Sequence, residues 1–221
     1  QVQMYKLVIG NKNYSSWSLR AWLALKLTGA DFDEDVIALD QPDTAERIRH
    51  YSHAGRVPIL VDGDLHIWES LAIVEYLAER HPSAGLWPAD ERARARARTV
   101  SNEMHAGFTA LRSDFHMNIR RPPRPHPQGI SEQVQRDIAR ICEIWRDTRA
   151  GFGGDGPFLF GAFCAADAMF APVVSRFQTY AVEVGVGERA YMDAVLQFPA
   201  FAEWQAAGRN EPWTIDAEEV D

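Results

Sequence analysis

The chain has 221 residues, 46% hydrophobic and 24% charged, with a formal net charge of −8. That length accommodates one large domain or two small ones, and no apolar run reaches the ~20 residues needed to cross a bilayer. The acidic balance repels phosphate polyanions, so neither a membrane nor nucleic acid is expected as a partner. Two cysteines, Cys142 and Cys164, stand far apart in no metal-ligand or C-x-x-C spacing. A reducing, cytoplasmic setting is therefore expected, with no disulfide framework and no zinc site. The leading QVQMYKLVIGNK has an apolar run too short for a signal peptide. The basic stretches ERARARAR (Glu91 to Arg98) and IRRPPRPHP (Ile119 to Pro127) depart locally from the acidic whole, and the first reads as a solvated helical face.

In chain order, Tyr5 to Gly10 is a β-prone run. Ser16 to Thr28 carries apolar residues at helical spacing and stops at Gly29. Phe32 to Leu39 reads as a second strand, Asp43 to His50 as a polar helix or loop, and Val57 to Val61 as a third strand with Pro58 near its start. Asp62-Gly63-Asp64 signals a tight turn returning Leu65 to Ile67 as a short antiparallel strand, and Glu69 to Arg80 reads as a helix. The order is βαβ followed by ββα, a small mixed sheet flanked by helices. Punctuation at His81-Pro82-Ser83 and Trp87-Pro88-Ala89-Asp90 marks a boundary: a first domain over 1–81, a linker over 82–90 and a second domain over 91–221. Met104, Phe108, Leu111 and Phe115 form the stripe of one long helix ended by the Pro-rich segment from Pro122 to Gly129. Val134, Ile138, Ile141 and Trp145 stripe the next, and further helices fall near Ala165 to Ala181, Glu188 to Leu196 and Pro199 to Gly208. The second domain is expected to be an all-helical bundle.

Three short motifs carry chemistry. In NYSSWSLR, Ser15 and Ser16 stand at the start of the first helix, where a hydroxyl caps the free N–H groups or helps to hold an anion. In RVPIL, Val57 precedes Pro58, either an ordinary trans pair at a strand start or a cis pair whose backbone is offered to a peptide-like ligand. In WES, Ser70 and Glu69 open another helix; a cap explains them, and so does a grip on an amino-acid zwitterion, the carboxylate at Ser70 and the ammonium at Glu69.

Together, in this order and frame, the motifs resemble the cytosolic glutathione transferase family along nearly the whole chain, V-P followed by E-S being the most specific feature. SSWSLR is similar to the S-S-C-x-x-R pattern of the zeta class, with Trp17 where that pattern has cysteine; FLFGAFCAADAMFAP resembles the family's buried capping box, with Asp167 in the acidic position and Cys164 in place of Ser or Thr. A thiol is a weak acceptor, so that cap is expected to be weaker or completed by water. The resemblance implies an α+β two-domain fold: a thioredoxin-like βαβ-ββα domain followed by an all-α bundle. It further implies glutathione as co-substrate, a small hydrophobic electrophile and a homodimer. By the same resemblance, glutathione lies with its γ-glutamyl end at Glu69 and Ser70, its cysteinyl backbone on Val57 before Pro58, its glycyl carboxylate near Arg56 and its thiol near Ser15. Ser16 is the competing thiol partner and Tyr14 a third, phenolic candidate; the tyrosine of the tyrosine-type classes sits near the end of the first strand, for which Tyr5 is too early. His105, Phe108, Arg112 and Trp17 are candidates to line the electrophile cleft, the phenylalanine being also a core residue by type. A non-catalytic assembly protein and a glutathione-dependent isomerase are the alternatives.

Overall fold

Alternation in the first strand, β1 (Tyr5–Ile9), decides which side of the sheet each helix covers. Tyr5, Leu7 and Ile9 point into the large core, whereas Val8 points the other way and joins Ile37, Ile48 and Ile59 in a smaller cluster. The computed structural model describes residues 4–221; Gln1 to Gln3 of the leading segment lie outside the described residues. β1 pairs in parallel with β2 (Phe32–Val36) and antiparallel with β3 (Ile59–Asp62), which pairs antiparallel with β4 (Leu65–Trp68), giving the sheet order β2-β1-β3-β4. The parallel pair needs a crossover, supplied by α1 (Ser16–Thr28), which stops at Gly29 with φ 70°, a left-handed position that suits glycine. α2 (Thr44–Arg49) covers the smaller cluster through Ile48, while α3 (Ser70–Arg80) packs beside α1. This is the thioredoxin-like arrangement that the motif order implies.

Two strand limits differ from expectation by two residues or more. β2 ends at Val36, because its partner β1 ends at Ile9; one further bond, Ile37 N to Ile9 O at 2.8 Å, closes the ladder, and Leu39 N then turns to the Asn11 side chain at 2.7 Å. β3 begins at Ile59, after Pro58, which has no N–H to give to a ladder.

Beyond residue 90 the chain is helical: α4 (Glu91–Ala106), α5 (Thr109–Asp114), α6 (Glu132–Phe152), α7 (Ala165–Thr179), α8 (Val186–Gln197) and α9 (Pro199–Arg209). Asp90 caps α4 through Ala93 N at 2.8 Å, and Ser131 caps α6 through Val134 N at 3.2 Å. The ERARARAR stretch forms the first turns of α4, mostly facing solvent, and Arg98 reaches across to Glu75 of α3 at 2.9 Å. Among the described residues no helix is long and apolar enough to cross a membrane.

The stripe Met104, Phe108, Leu111, Phe115 is buried as its spacing requires, yet it does not lie on one helix. α4 stops at Gly107, and Phe108 takes φ 58° and ψ 38° before α5 begins. A Cβ at Gly107 would stand 2.8 Å from the Glu103 carbonyl oxygen, so glycine permits the close turn, and Arg112 braces it by donating from Nε to Gly107 O at 3.0 Å. Periodicity reported burial here, and the backbone break re-aims the chain while keeping the same residues inside.

α7 is buried over nearly its whole length, and its entry is held by Asp167. The fully buried carboxylate accepts from Cys164 N at 3.0 Å, Leu159 N at 3.2 Å and Tyr191 Oη at 2.8 Å. Burial pushes its pKa up to about 6 against the pull of these hydrogen bonds. The carboxylate thus carries most of the cap, whatever the Cys164 thiol adds. Asp167→Ala leaves three buried donors without an acceptor and is expected to lower unfolding stability by ~3–5 kcal/mol, whereas Asp167→Asn, which keeps one acceptor oxygen, should lose roughly half as much. Urea denaturation of the three proteins checks the order; equal stability of wild type and Asp167→Ala would remove the carboxylate from this role.

Candidate active site

The first turn of α1 emerges where the two halves of the molecule meet. The loop before it is tied to the second half: Ile119 N donates to Asn13 O at 3.3 Å, Arg120 N to the Asn13 side chain at 2.8 Å, and Asn13 Nδ2 to Asn118 at 2.9 Å. Ser15 is the N-cap residue, with extended backbone (φ −80°, ψ 90°), and its carbonyl accepts from Leu19 N at 3.1 Å. Its hydroxyl makes no capping bond and instead meets Ser18 Oγ at 2.7 Å. Ser16 points elsewhere, its oxygen accepting a long 3.4 Å bond from Arg176 Nη2.

The phenolic candidates are engaged elsewhere. Tyr14 donates its hydroxyl to Glu219 and accepts from Arg120 Nη2 at 3.1 Å, while Tyr5 is buried and meets His81 Nε2 at 2.9 Å. Burial, then the Glu219 carboxylate, raises the Tyr14 pKa, so this phenol holds its proton for the carboxylate.

Two adjoining cavities open at this corner. The smaller, about 260 Å³, has Val57, Pro58, Glu69 and Ser70 in its walls, and the larger, about 450 Å³, has Ser15 and Ser16. Both are bordered by Trp17, Arg56, Val57 and Arg112, so the residues singled out in the sequence line two adjoining cavities. The Val57–Pro58 bond is cis. Glu69 sits at φ 69° and ψ 122°, a left-handed φ uncommon outside glycine, and places its exposed carboxylate 3.9 Å from His105 Nε2. Ser70, the first residue of α3, is 2% exposed and its hydroxyl has no hydrogen-bond partner among the described residues. A buried, unpaired hydroxyl at a helix N-terminus suits a carboxylate ligand.

The wall facing Ser15 is cationic. Arg176 of α7, 4% exposed, donates from Nε to Phe115 O at 2.7 Å, and its Nη1 has no partner among the described residues. Arg112 is bonded to Gly107 O and, at 3.3 Å, to Thr109 Oγ1, and stands 5.7 Å from the Trp17 ring centre. Arg20 lies fully buried behind that ring, 4.3 Å from its centre, with one bond from Nε to Met169 O at 2.8 Å and both terminal nitrogens unpaired among the described residues. Among the described residues none of these three guanidiniums has an ion-pair partner. Burial first and mutual repulsion second push the Arg20 pKa well down and that of Arg176 down to about 10. His105 stacks edge-on against Trp17 at 5.0 Å, and burial lowers its pKa, Glu69 opposing and Arg20 and Arg112 assisting. It stands neutral at pH 7.

Of the four cleft candidates, Trp17, His105 and Arg112 line the cavity, and Phe108 is core. Sequence reasoning missed Arg176, His116, Met117 and Glu218, all in the wall of the larger cavity. For Arg176 a signal existed: a lone cation in the apolar run FCAADAMFAPVVSRF. Glu218 lies in the tail after α9, with no periodic pattern to place it.

Residues 14–80 match the family model for the glutathione S-transferase N-terminal domain. A probable maleylacetoacetate isomerase from Caenorhabditis elegans is 38% identical over 98 residues, 44% of this chain and 45% of that protein, so the chain spans less than half of this relative's length. The maleylacetoacetate isomerase of Pseudomonas aeruginosa is 29% identical over 90% of this chain and 95% of its own. Among solved structures, a glutathione transferase homologue from Burkholderia GL BGR1 with bound glutathione superposes with TM-score 0.71 at 23% identity, covering 94% of this chain and 99% of that one, a likeness of fold. The family model accounts for residues 14–80 and the P. aeruginosa relative aligns over 90% of this chain, which supports a cytosolic glutathione S-transferase family.

Proposed function

We propose that the protein is a glutathione transferase that binds glutathione across the first domain and stabilises its thiolate at Ser15 for attack on a small electrophile. The observation that carries this reading is the convergence of an uncapped helix N-terminus bearing Ser15 with the Val57-Pro58 and Glu69-Ser70 pairs around two adjoining cavities. In this reading the γ-glutamyl carboxylate takes the unpaired Ser70 hydroxyl, Glu69 takes the ammonium group, Val57 pairs with the cysteinyl backbone and Arg56 meets the glycyl carboxylate. A free thiol has a pKa near ~8.5 and is mostly protonated at neutral pH. Ser15 donates a hydrogen bond to the sulfur, and the uncapped amides of α1 add a positive field, both favouring the anion. The thiolate then forms a C–S bond at the electrophilic carbon while the leaving group departs with its bonding electrons. Ser16, turned toward Arg176, is the lesser candidate for this role.

The electrophile sits in the larger cavity between Trp17 and Met117, in apolar contact, with the unneutralised guanidiniums of Arg112 and Arg176 beside it. That wall favours electrophiles carrying an acidic group. The same observation supports a second reading, glutathione-dependent isomerisation of an acid-bearing alkene, the activity by which the C. elegans and P. aeruginosa relatives are named. Trp17 in the place of the zeta-class cysteine weighs against it, and turnover of a maleyl-type diacid by the wild-type protein would establish it. The division into a glutathione-binding domain over 1–81, a linker over 82–90 and a helical domain over 91–221, a cytoplasmic location and a homodimeric state belong to the same proposal.

Calorimetric titration with glutathione, paired with a conjugation assay on an aryl halide, tests the main reading. Wild type is expected to bind and turn over; Ser15→Ala should keep its glutathione affinity within about threefold, lose ~10²–10³ in kcat and shift the rising limb of its pH–rate profile upward, toward the free thiol. Absence of glutathione binding to the wild type would reassign the fold to assembly. For the electrophile side, Arg176→Met should depress kcat/KM for a chlorodinitrobenzoate about tenfold more than for uncharged chlorodinitrobenzene. Equal losses on the two substrates would take the carboxylate-binding role from Arg176.

A further inference from the structure

We infer that Ser18 is a positioning residue: it holds the Ser15 hydroxyl out of the helix cap and keeps it available to the glutathione sulfur. The inference rests on the assignment of Ser15 as the thiolate partner. A serine at the N-cap normally turns its oxygen inward to accept the N–H of the second or third helical residue. Ser15 has the extended backbone of an N-cap, and its carbonyl accepts the first helical bond, yet its side chain makes no capping bond. What diverts it is the side chain of the third helical residue, Ser18, whose Oγ stands 2.7 Å from Ser15 Oγ.

Ser18 is itself immobilised. It is fully buried, and its oxygen accepts Gly10 N at 3.0 Å, from the first residue past the end of β1. With Gly10 N–H and Ser15 O–H both directed at Ser18 Oγ, Ser15 is parked as a donor to Ser18. When a sulfur anion arrives, Ser15 O–H turns to it, and the Ser15 oxygen becomes an acceptor for Ser18 O–H across the same distance. The chain then runs Gly10 N–H to Ser18 O–H to Ser15 O–H to S⁻, each hydroxyl both donating and accepting. Only hydroxyl hydrogens rotate in this exchange. Serial donation of this kind strengthens the last bond, the one to the anion. Without the Ser18 hydroxyl, the Ser15 oxygen is free to take the Ser18 N–H as an ordinary cap, which draws it toward the helix axis and away from the sulfur.

The test reads the pKa of enzyme-bound glutathione by ultraviolet thiolate absorbance in wild type, Ser18→Ala, Ser18→Thr, Ser15→Ala and the Ser15→Ala/Ser18→Ala pair. Ser18→Ala is expected to raise the bound thiol pKa by about one pH unit, with Ser18→Thr restoring it. In the Ser15→Ala background, removal of the Ser18 hydroxyl should produce no further shift, because the effect runs through Ser15. An unchanged pKa in Ser18→Ala, or an equal shift in the two backgrounds, overturns the inference while leaving the transferase reading intact. Failure of the wild type to bind glutathione overturns both. If Ser18→Ala does not fold, Ser18→Cys, whose thiol is a weak hydrogen-bonding group, should raise the pKa in the same direction, and an unshifted pKa there counts against the role.

Discussion

Helix α1 packs on the sheet and α3 on one side and on α7 on the other, and the chemistry of the cleft depends on where that sandwich leaves its first turn. From Ser18 to Leu25 every residue of the helix is buried, so it can neither rotate nor slide without opening core on two sides. The same burial fixes the direction of its N-terminus. The loop ahead of it is held by Asn13 to the segment around Asn118, so the first turn is set by residues more than a hundred positions away. A helix end fixed in this way is a preorganised positive site, and it needs no reorganisation when an anion arrives.

The cost of the arrangement is a buried cation. Arg20 lies on the face of α1 turned toward α7, fully enclosed, its Nε on the Met169 carbonyl, its terminal nitrogens unpaired among the described residues and the Trp17 ring 4.3 Å away. Desolvating a guanidinium without a carboxylate is expensive, and contact with an aromatic face returns part of that, ~2 kcal/mol when the pair is dry. This gives a physical reason for tryptophan rather than cysteine at position 17. A small side chain there would leave Arg20 without the ring. It also explains why the cleft stays cationic in a protein of net charge −8: Arg20, Arg112 and Arg176 repel one another around a pocket whose acidic neighbours, Glu69 and Glu218, are not in ion pairs with them. A cleft of one sign inside a molecule of the other draws small anions and turns away large polyanions.

Most of the first domain was legible because its signals are local. The β-prone run at β1, glycine after α1, the turn at Asp62-Gly63-Asp64 and the acid-serine pair at α3 each depend on a few neighbouring residues. What depends on distant residues was not legible. The stripe from Met104 to Phe115 predicts one helix because burial and helix share a period, and only the close approach of Gly107 to the Glu103 carbonyl separates the two. Base frequencies favour trans at Val57–Pro58, and the residue pair alone carries no sign of the cis form that is found. On paper Ser15 is the preferred thiol partner and Ser16, one residue on, competes with it. Arg176, from the far end of the sequence, distinguishes them by taking the oxygen of one, and Ser18 by taking the hydroxyl of the other.

The basic segment after Ile119 shows the same division between local and distant causes. By composition IRRPPRPHP resembles a binding patch for an anionic partner, but its arginines are consumed internally by the acidic tail. Arg121 and Arg124 share Asp221, and Arg120 donates to the carbonyls of Glu211 and Trp213 at 2.6 Å each. The tail so fastened carries Glu219 to Tyr14 and Glu218 to the cavity wall, where burial raises its pKa and Arg176 opposes the rise. Charge that looks like a surface for others is therefore the fastening of one side of the cleft. The same fastening occupies the Tyr14 phenol with a carboxylate, whereas Ser15, also in the cavity wall, gives its hydroxyl to another hydroxyl, that of Ser18.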